Sequence, residues 1–418
     1  MQRIVILGAG FAGLWTALGA ARALDERGIG PERVEILVID RNPYHAIRVR
    51  NYEADLQSAR VPLADVLGPV AVRHAVADVT DIDVAQREVA ILADGRPERL
   101  SYDRLVVALG STLPRPAIPG AEYCFDVDTY TGAARLADHL AMLPARAASP
   151  GQFTAVVVGA GFTGIEVAAE LIARLERVRA SGTAHRPPPA RVVLVDRRAA
   201  IGADMGEAAR TVIARALAAL GVETRAASSL RAVEPDGAIL SDGERIDAAT
   251  VVWCAGMRAH SLAARIPVER DPLGRLPVDA TMRIRGVADA FAAGDVAWFP
   301  VDGSHASVMS CQHSRPMGRF AGHNVVCDLL NEPMLPLSIG WYNTILDLGA
   351  WGAVYTEGWE RRLVAEGAAA KLTKETINRR RIYPPPGGDR RALLDAAAPL
   401  IQAPPPVGVP PRSGDGDG

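Results

Sequence analysis

One glycine-rich phrase occurs twice in this chain and constrains its fold more than any other feature. The first copy, RIVILGAGFAGLWTALGAAR, spans residues 3–22, and the second, AVVVGAGFTGIEVAAELIAR, spans residues 155–174. The glycines of the two GxGxxG turns are Gly8, Gly10, Gly13, Gly159, Gly161 and Gly164. Such a turn between a strand and a helix lets backbone N–H groups and the positive end of the helix dipole bind a dinucleotide's diphosphate.

The residues around both turns complete the pattern of a dinucleotide-binding unit. Apolar runs typical of buried parallel strands precede the turns, and helical segments follow them. The next strand of each unit ends in an acid, Asp40 or Asp196, which is suited to accept hydrogen bonds from ribose hydroxyls. We therefore predict an α/β fold with two Rossmann-like dinucleotide-binding domains and a small C-terminal region. Two dinucleotides in one chain favour a flavin and a nicotinamide, because that pair exchanges a hydride.

Charge and cysteine content exclude several other classes of protein. The net charge of −2 gives no general attraction to nucleic acid. No apolar stretch approaches the roughly 18 residues of a membrane-spanning helix. The four cysteines form no CxxC pair, so the sequence predicts neither a metal site nor a thioredoxin-like motif. Unpaired thiols and the lack of a signal-peptide pattern predict a cytoplasmic protein.

Further motifs follow one another along the chain. They are DRNPYHAI at 40–47, VTDID at 79–83, YDRLVVALGS at 102–111, WCAGMRA at 253–259 and AAGDVA at 292–297. Together with the two glycine phrases, this series resembles the type II NADH dehydrogenases, two-dinucleotide flavoproteins of the pyridine nucleotide-disulfide reductase superfamily. The resemblance covers roughly residues 3–383.

The resemblance implies FAD in the first unit and NADH in the second. The FAD-binding residues that it implies are Gly8, Gly10, Phe11, Ala12, Gly13, Asp40, Arg41, Val79, Ala108, Gly110, Gly294 and Asp295. The NAD-binding residues that it implies are Gly159, Gly161, Gly164, Asp196 and Gly256. Asp295 also follows a glycine at the end of a predicted strand, where ligands bind in open α/β sheets. The alternative role for Asp295 is the N-cap of a following helix.

The motifs also predict domain boundaries. We expect the FAD-binding domain to consist of residues 1–112 and 277–328, with the NAD(P)H-binding domain at 150–257 between them. Residues 329–390 form the predicted C-terminal region. Residues 391–418 are a tail rich in Pro and Gly, and we predict disorder at its end.

The preference for NADH or NADPH depends on the residues around Asp196. A carboxylate at this position repels a 2′-phosphate, which favours NADH. However, Arg197 and Arg198 follow directly and are suited to bind a 2′-phosphate, so NADPH stays open.

Three residues are candidates for the chemistry beside the cofactors. The family has a glutamate at the position of Glu166, near the junction of flavin and nicotinamide, where a carboxyl group tunes the flavin or moves a proton. The alternative is a solvent-facing Glu that complements the helix dipole. In the family's A-Q-x-A-x-Q segment both glutamines line the quinone pocket. In SCQHSRPMG at 310–318, Gln312 matches the first, and Pro316 replaces the second. His313 is a candidate proton donor to the acceptor, or a hydrogen-bonding residue at a helix start.

The resemblance implies an FAD-dependent NADH dehydrogenase. Hydride would pass from NADH to FAD, and electrons would then pass to an acceptor, for which we expect a quinone near Gln312. The alternatives are a soluble NAD(P)H-dependent reductase of a protein or another small oxidant, sulfide:quinone-like chemistry, which uses a cysteine pair, and a flavin-based redox sensor that is not an enzyme. We also expect a homodimer.

The C-terminal segments leave peripheral membrane contact open. Type II dehydrogenases dock on membranes through C-terminal amphipathic helices. Residues 361–382 are basic and moderately amphipathic, and DRRALLDAAAPLI follows at 389–401. These segments are suited either to lie on an anionic surface at the cytoplasmic face or to pack as ordinary helices.

Overall fold

The fold contains two parallel sheets, and in each sheet one strand leads through a glycine turn into a helix. The computed structural model describes residues 1–182 and 188–408. The helices are α1 Phe11–Asp25, α2 Leu63–Leu67, α3 Tyr130–Met142, α4 Phe162–Ser181, α5 Glu207–Ala219, α6 Cys311–Leu329, α7 Gly367–Thr376 and α8 Arg390–Ala396. The first strands are β1 Gln2–Leu7, β2 Val34–Asp40, β3 Tyr44–Ala46, β4 Arg60–Pro62, β5 Arg73–Val76, β6 Asp78–Asp83, β7 Glu88–Ala93, β8 Arg96–Ser101, β9 Arg104–Val107, β10 Ser111–Thr112, β11 Thr154–Val158 and β12 Arg191–Val195. The later strands are β13 Val222–Arg225, β14 Leu230–Glu234, β15 Gly237–Leu240, β16 Arg245–Asp247, β17 Thr250–Trp253, β18 Arg258–Ala259, β19 Leu276–Pro277, β20 Ala290–Ala292, β21 Ala297–Trp298, β22 Asn343–Asp347, β23 Ala353–Glu357 and β24 Arg362–Glu366.

The first sheet has five parallel strands in the order β20-β9-β1-β2-β5. Strand β1 is central, and residues 4–7 are fully buried, as expected for an apolar strand covered on both faces. The first glycine turn leads from β1 into α1, which is buried over most of its length. The turn therefore lies at the carboxyl end of the central strand, where open α/β sheets bind ligands.

Helices α1 and α6 pack with their backbones in contact. A Cβ atom added to Gly318 would lie 2.4 Å from the carbonyl oxygen of Ala12, and one added to Gly322 would lie 2.2 Å from that of Thr16. Only glycine allows so close an approach. This packing places the start of α6, which carries Gln312, beside the first glycine turn.

The second sheet repeats the arrangement with four parallel strands in the order β13-β12-β11-β17. The second glycine turn leads from β11 into α4. Three-stranded antiparallel sheets, β6-β7-β8 and β14-β15-β16, accompany the two parallel sheets. The short pair β10-β18 joins a strand from the first unit to one that follows the second.

The C-terminal region is an antiparallel sheet, β22-β23-β24, with α7 packed against it. A π-helical turn at Ile377–Arg381 follows α7. The basic segment 361–382 is thus a strand, a helix and a π-helical turn, not one amphipathic helix. After α8, residues 397–408 run without helix or strand. Of the end of the 391–418 tail, where we predict disorder, residues 409–418 lie outside the described residues.

These observations confirm the α/β fold with two Rossmann-like domains and a smaller C-terminal region. The first sheet takes its strands from 1–112 and 277–328, and the second takes its strands from 150–257. The exact domain boundaries stay predictions. Within the described residues, no helix combines the length and the apolar character needed to cross a membrane.

Candidate active site

One cavity of about 1150 Å³ lies between the two glycine turns. Its walls include Gly10 and Phe11 from the first turn and Gly159 and Gly161 from the second. The start of α6 and parts of the C-terminal region form a further part of the wall. Both turns therefore open into the same space, and molecules bound at the two turns would meet there.

The two turns have nearly the same geometry. Gly8 and Gly159 have φ angles of +95° and +102°, in the region that favours glycine. A Cβ atom on Gly13 would lie 1.8 Å from the carbonyl oxygen of Gly8, and one on Gly164 would lie 1.7 Å from that of Gly159. The third glycine of each turn thus lets the helix start against the strand.

The middle glycine of each turn faces open space. A Cβ atom on Gly10 or Gly161 would meet nothing within 4 Å. Each of these residues is the N-cap of its helix, with no side-chain cap on the free N–H groups. An unfilled space at two long, uncapped helix starts has the shape and polarity that a diphosphate requires.

The acids at the ends of β2 and β12 hold the turns in place. One oxygen of Asp40 accepts the N–H of Ala9 at 2.7 Å, and one oxygen of Asp196 accepts the N–H of Ala160 at 2.6 Å. The second oxygen of Asp196 accepts the N–H of Arg198 at 2.7 Å. These carboxylates therefore brace the backbone of the turns in addition to any contact with a ribose.

The other predicted cofactor-binding residues fall into two groups. Those that line the cavity are Ala12, Ala108, Gly110 and Gly256. Arg41, Val79 and Asp40 are not brought to the cavity wall. Arg41 is largely exposed and forms an ion pair with Asp78 at 3.4 Å.

Asp295 lies at the cavity wall within a set of polar side chains. Its carboxylate accepts the hydroxyl of Ser111 at 2.7 Å and that of Ser314 at 3.2 Å, and Arg48 lies 3.8 Å away. Gly294 precedes it with a φ angle of +80°. The arrangement holds the Asp295 carboxylate at the cavity, where it is suited to accept hydrogen bonds from sugar or polyol hydroxyls.

Glu166 is buried at the cavity wall, not exposed to solvent. It accepts a hydrogen bond from the ammonium group of Lys374 at 2.8 Å and another from the backbone N–H of Asp347 at 3.0 Å. Burial raises the pKa of Glu166, and the attraction of Lys374 only partly opposes this shift. Burial alone would lower the pKa of Lys374, but the charge and hydrogen bond of Glu166 outweigh it and raise that pKa. Lys374 therefore carries a proton at the cavity wall at neutral pH.

A second carboxylate supports this pair. Asp347 accepts the hydroxyl of Tyr52 at 3.0 Å and the ammonium group of Lys371 at 2.6 Å. Burial raises the pKa of Tyr52 well above its usual value, so this hydroxyl stays a donor. The network joins α4, β22 and α7 behind the cavity.

Gln312 and His313 face different surroundings. Gln312 lines the cavity and donates its amide N–H to the carbonyl of Trp341 at 3.4 Å. His313 is fully buried and does not line the cavity, and its Nδ1 accepts the N–H of Val308 at 2.9 Å. Burial lowers the pKa of His313 to about 4. The structure thus brings Gln312 to the site but not His313.

A family model described as "Pyridine nucleotide-disulphide oxidoreductase" matches residues 2–318. The chain belongs to this family. A NADH dehydrogenase-like protein of Mycobacterium tuberculosis is 56% identical to this family member over 403 residues, which cover 96% of the chain and 99% of the relative. The type II NADH:quinone oxidoreductase of Staphylococcus aureus is 25% identical over 397 residues, which cover 91% of the chain and 95% of the relative. The solved structure of NDH2 from Plasmodium falciparum in complex with NADH matches with a TM-score of 0.74 at 12% identity, over 95% of this chain and 97% of that chain.

These findings confirm the predicted resemblance. Despite the name of the pyridine nucleotide-disulphide oxidoreductase family, all four cysteines of this member are free. Cys254 and Cys311 line the cavity, and burial raises the pKa of both thiols. Both are therefore protonated and weak nucleophiles at neutral pH. In residues 1–182 and 188–408, no group of three or more His, Cys, Asp or Glu side chains is placed to hold a metal ion.

Arg48 and Lys374 are charged residues of the site that lie outside every motif. Arg48 follows the DRNPYHAI motif by one position, and its proximity to that motif was a usable signal. Lys374 lies in α7, far along the chain, and no local pattern points to it. Only the packing of α7 on the sheet that contains β22, together with the contact between β22 and α4, brings the Lys374 ammonium group to Glu166.

Proposed function

We propose that this family member is an FAD-dependent NADH dehydrogenase that passes electrons from NADH to a quinone. The observation that carries the proposal is the single cavity that both glycine turns share. Two dinucleotides bound at these turns would have their reactive rings in one space, which supplies the proximity that transfer between them requires.

The residues of the first unit fit FAD. The open space at Gly10 and the free N–H groups of α1 suit the diphosphate. Asp295, held by Ser111 and Ser314, suits the polyol chain. When bound, FAD supplies the capacity to take a hydride from NADH and to release electrons to a second substrate.

The second unit suits NADH. Asp196 and Asp204 both line the cavity near Arg198. Arg198 forms ion pairs with Asp204 at 2.6 Å and with Asp196 at 3.5 Å. Two carboxylates thus compensate the charge of Arg198, and both repel a 2′-phosphate. These contacts support NADH over NADPH.

Removing one of these carboxylates should raise the use of NADPH. In Asp204→Ser, Arg198 loses its shorter ion pair and becomes available to a 2′-phosphate. We expect kcat/KM for NADPH relative to NADH to rise about fivefold, the size of a partly exposed charge interaction. Steady-state assays with both nucleotides measure the ratio. Asp242→Ser, in the exposed turn between β15 and β16, is the matched control and should leave the ratio unchanged; an unchanged ratio in both variants would contradict the role of Asp204.

A named relative and the cavity wall beyond the two turns both favour a quinone as the electron acceptor. The relative from Staphylococcus aureus is named as a NADH:quinone oxidoreductase, and Gln312 offers an amide at the cavity. Quinone reduction to the hydroquinone consumes one proton besides the hydride. Lys374, kept protonated by Glu166, is positioned to donate that proton at the cavity wall. His313 is not, because its ring is buried away from the cavity.

Sulfide:quinone-like chemistry receives less support. That chemistry needs a reactive thiolate, and the thiols at the cavity, Cys254 and Cys311, are held in the neutral form by burial. Neither forms a disulfide.

An anaerobic titration tests the proposed function. The purified protein should be yellow, should lose its visible absorbance when NADH is added, and should regain it when a short-chain quinone follows. Repeated cycles at a steady rate would separate an enzyme from a redox sensor, which would be reduced once and turn over slowly. A protein that NADH does not bleach, or whose reduced form no quinone reoxidises, would refute the proposal.

A further inference from the structure

An extended segment after α8 forms part of the cavity wall near Gln312. We name residues 400–408 the strap. Four of its residues line the cavity: Leu400, Ile401, Gln402 and Pro405. Leu400 is 66% exposed and Pro405 is buried, so the strap enters the wall from the surface.

Side chains of the C-terminal region hold the strap through its carbonyl oxygens. The donors are Trp341 to Gln402 at 3.1 Å, Arg381 to Ala403, Tyr355 to Pro405 at 3.0 Å and Thr373 to Pro406 at 3.3 Å. The N–H of Gly408 in turn donates to the hydroxyl of Thr373 at 2.9 Å. The amide of Asn343 donates to the hydroxyl of Tyr355 at 2.6 Å, which directs that hydroxyl toward the strap.

The sequence of the strap suits this mode of attachment. Three consecutive prolines occupy positions 404–406, and proline fixes φ and lacks an N–H group. A run of prolines is already extended before it is bound, so little conformational entropy is lost when its carbonyl oxygens are held. The strap is therefore a stiff wall.

Trp341 connects the strap to the predicted acceptor site. Its carbonyl accepts the amide of Gln312 at 3.4 Å, and its indole N–H donates to the carbonyl of Gln402 at 3.1 Å. Dinucleotides bound at the two glycine turns would cover the walls there. An acceptor must then use the wall that Gln312, Trp341 and the strap form.

We propose that the strap selects the acceptor by size, admitting compact quinones and disfavouring quinones with a long alkyl substituent. This inference rests on the proposed function. A headgroup beside Gln312 meets the strap, and a chain attached to the ring would lie against Leu400 and Ile401, which line the same part of the wall. The prolines and the four side-chain donors keep the strap from moving aside.

Two full-length variants weaken the strap in different ways. Tyr355→Phe combined with Thr373→Val removes two donors to strap carbonyls, and neither residue lines the cavity. Leu400→Ala shortens an exposed side chain at the wall, which carries little risk to folding. Thr356→Val is the matched control, because the buried hydroxyl of Thr356 lies on the same strand as Tyr355 and has no hydrogen-bond partner among the described residues.

The measurement is the ratio of kcat/KM for a decyl-substituted quinone to that for menadione, which carries no long chain. We expect the ratio to rise about tenfold in the double variant, about threefold in Leu400→Ala, and not at all in Thr356→Val. Equilibrium dialysis of both quinones without NADH should show the same shift in the ratio of dissociation constants. The rate of flavin bleaching by NADH should stay unchanged throughout, which excludes general damage.

The outcomes distinguish the two proposals. If wild type reduces both quinones and the ratio is the same in all four proteins, the strap does not select the acceptor, and the proposed function stands. If no quinone reoxidises the NADH-reduced wild-type protein, the proposed acceptor and the strap inference both fail.

Discussion

Gly10→Val should yield a folded protein that purifies without flavin, whereas Gly161→Val should stay yellow and lose its response to NADH. The φ angles of Gly10 and Gly161, −66° and −79°, are open to valine, and a Cβ atom at either position meets no atom of residues 1–182 and 188–408 within 4 Å. The added side chain instead fills the space that a diphosphate needs. We expect flavin content below about a tenth of wild type in the first variant, and an apparent KM for NADH raised about a hundredfold or more in the second.

Absorbance spectra give the flavin content, and circular dichroism verifies the fold. Gly340→Val is the matched control, because Gly340 is exposed and equally free of clashes but lies outside both turns; its flavin content and bleaching by NADH should equal those of wild type. Loss of flavin in Gly161→Val together with retention in Gly10→Val would reverse the assignment of the two units.

Lys374→Met should destabilise the protein by about 3–5 kcal/mol, because it leaves the Glu166 carboxylate buried without its partner. Adding Glu166→Gln removes the unpaired charge while the amide oxygen still accepts the N–H of Asp347. We expect the double variant to recover about half of the loss. Urea unfolding at a fixed excess of FAD measures the free energies.

Lys371→Met provides the comparison on the same helix. Lys371 is more exposed than Lys374 and pairs with Asp347, which also accepts the hydroxyl of Tyr52. We expect its loss to cost about 1–2 kcal/mol, less than the loss of Lys374, because the buried Asp347 keeps the hydrogen bonds from the hydroxyl of Tyr52 and the N–H of Gly349. Equal losses in Lys371→Met and Lys374→Met, or a double variant that is less stable than Lys374→Met alone, would contradict the description of Glu166 and Lys374 as a buried ion pair.

The sequence predicts the parts of this fold that local chemistry determines. A glycine turn between a buried strand and a helix needs glycine at three positions, because residues close by in the sequence leave no room for a side chain or require the space to stay open. Both copies of the turn, and the acids that follow them, are therefore recognisable from the sequence. Strands β1, β2, β11 and β12 are readable for the same reason, because burial on both faces leaves continuous apolar runs.

Residues that depend on distant packing are not predictable in this way. Lys374 reaches Glu166 only because α7 packs on the sheet whose strand β22 contacts α4, and the strap reaches the cavity only after α8. Adjacent residues on one helix also point in different directions, because successive positions turn by about 100° around an α-helix. Gln312 therefore faces the cavity, whereas His313 faces the core. The motif at 310–318 contains both residues, but the sequence alone does not show which side chain points into the cavity.

The contact between α1 and α6 has a consequence for how such a protein changes during evolution. Gly318 and Gly322 allow two backbones to touch, so the start of α6 cannot shift along α1 without a collision. A new electron acceptor therefore cannot be accommodated by sliding Gln312 relative to the first turn. Variation has to arise in the C-terminal chain instead, where substitutions reshape one wall and leave the first glycine turn unchanged.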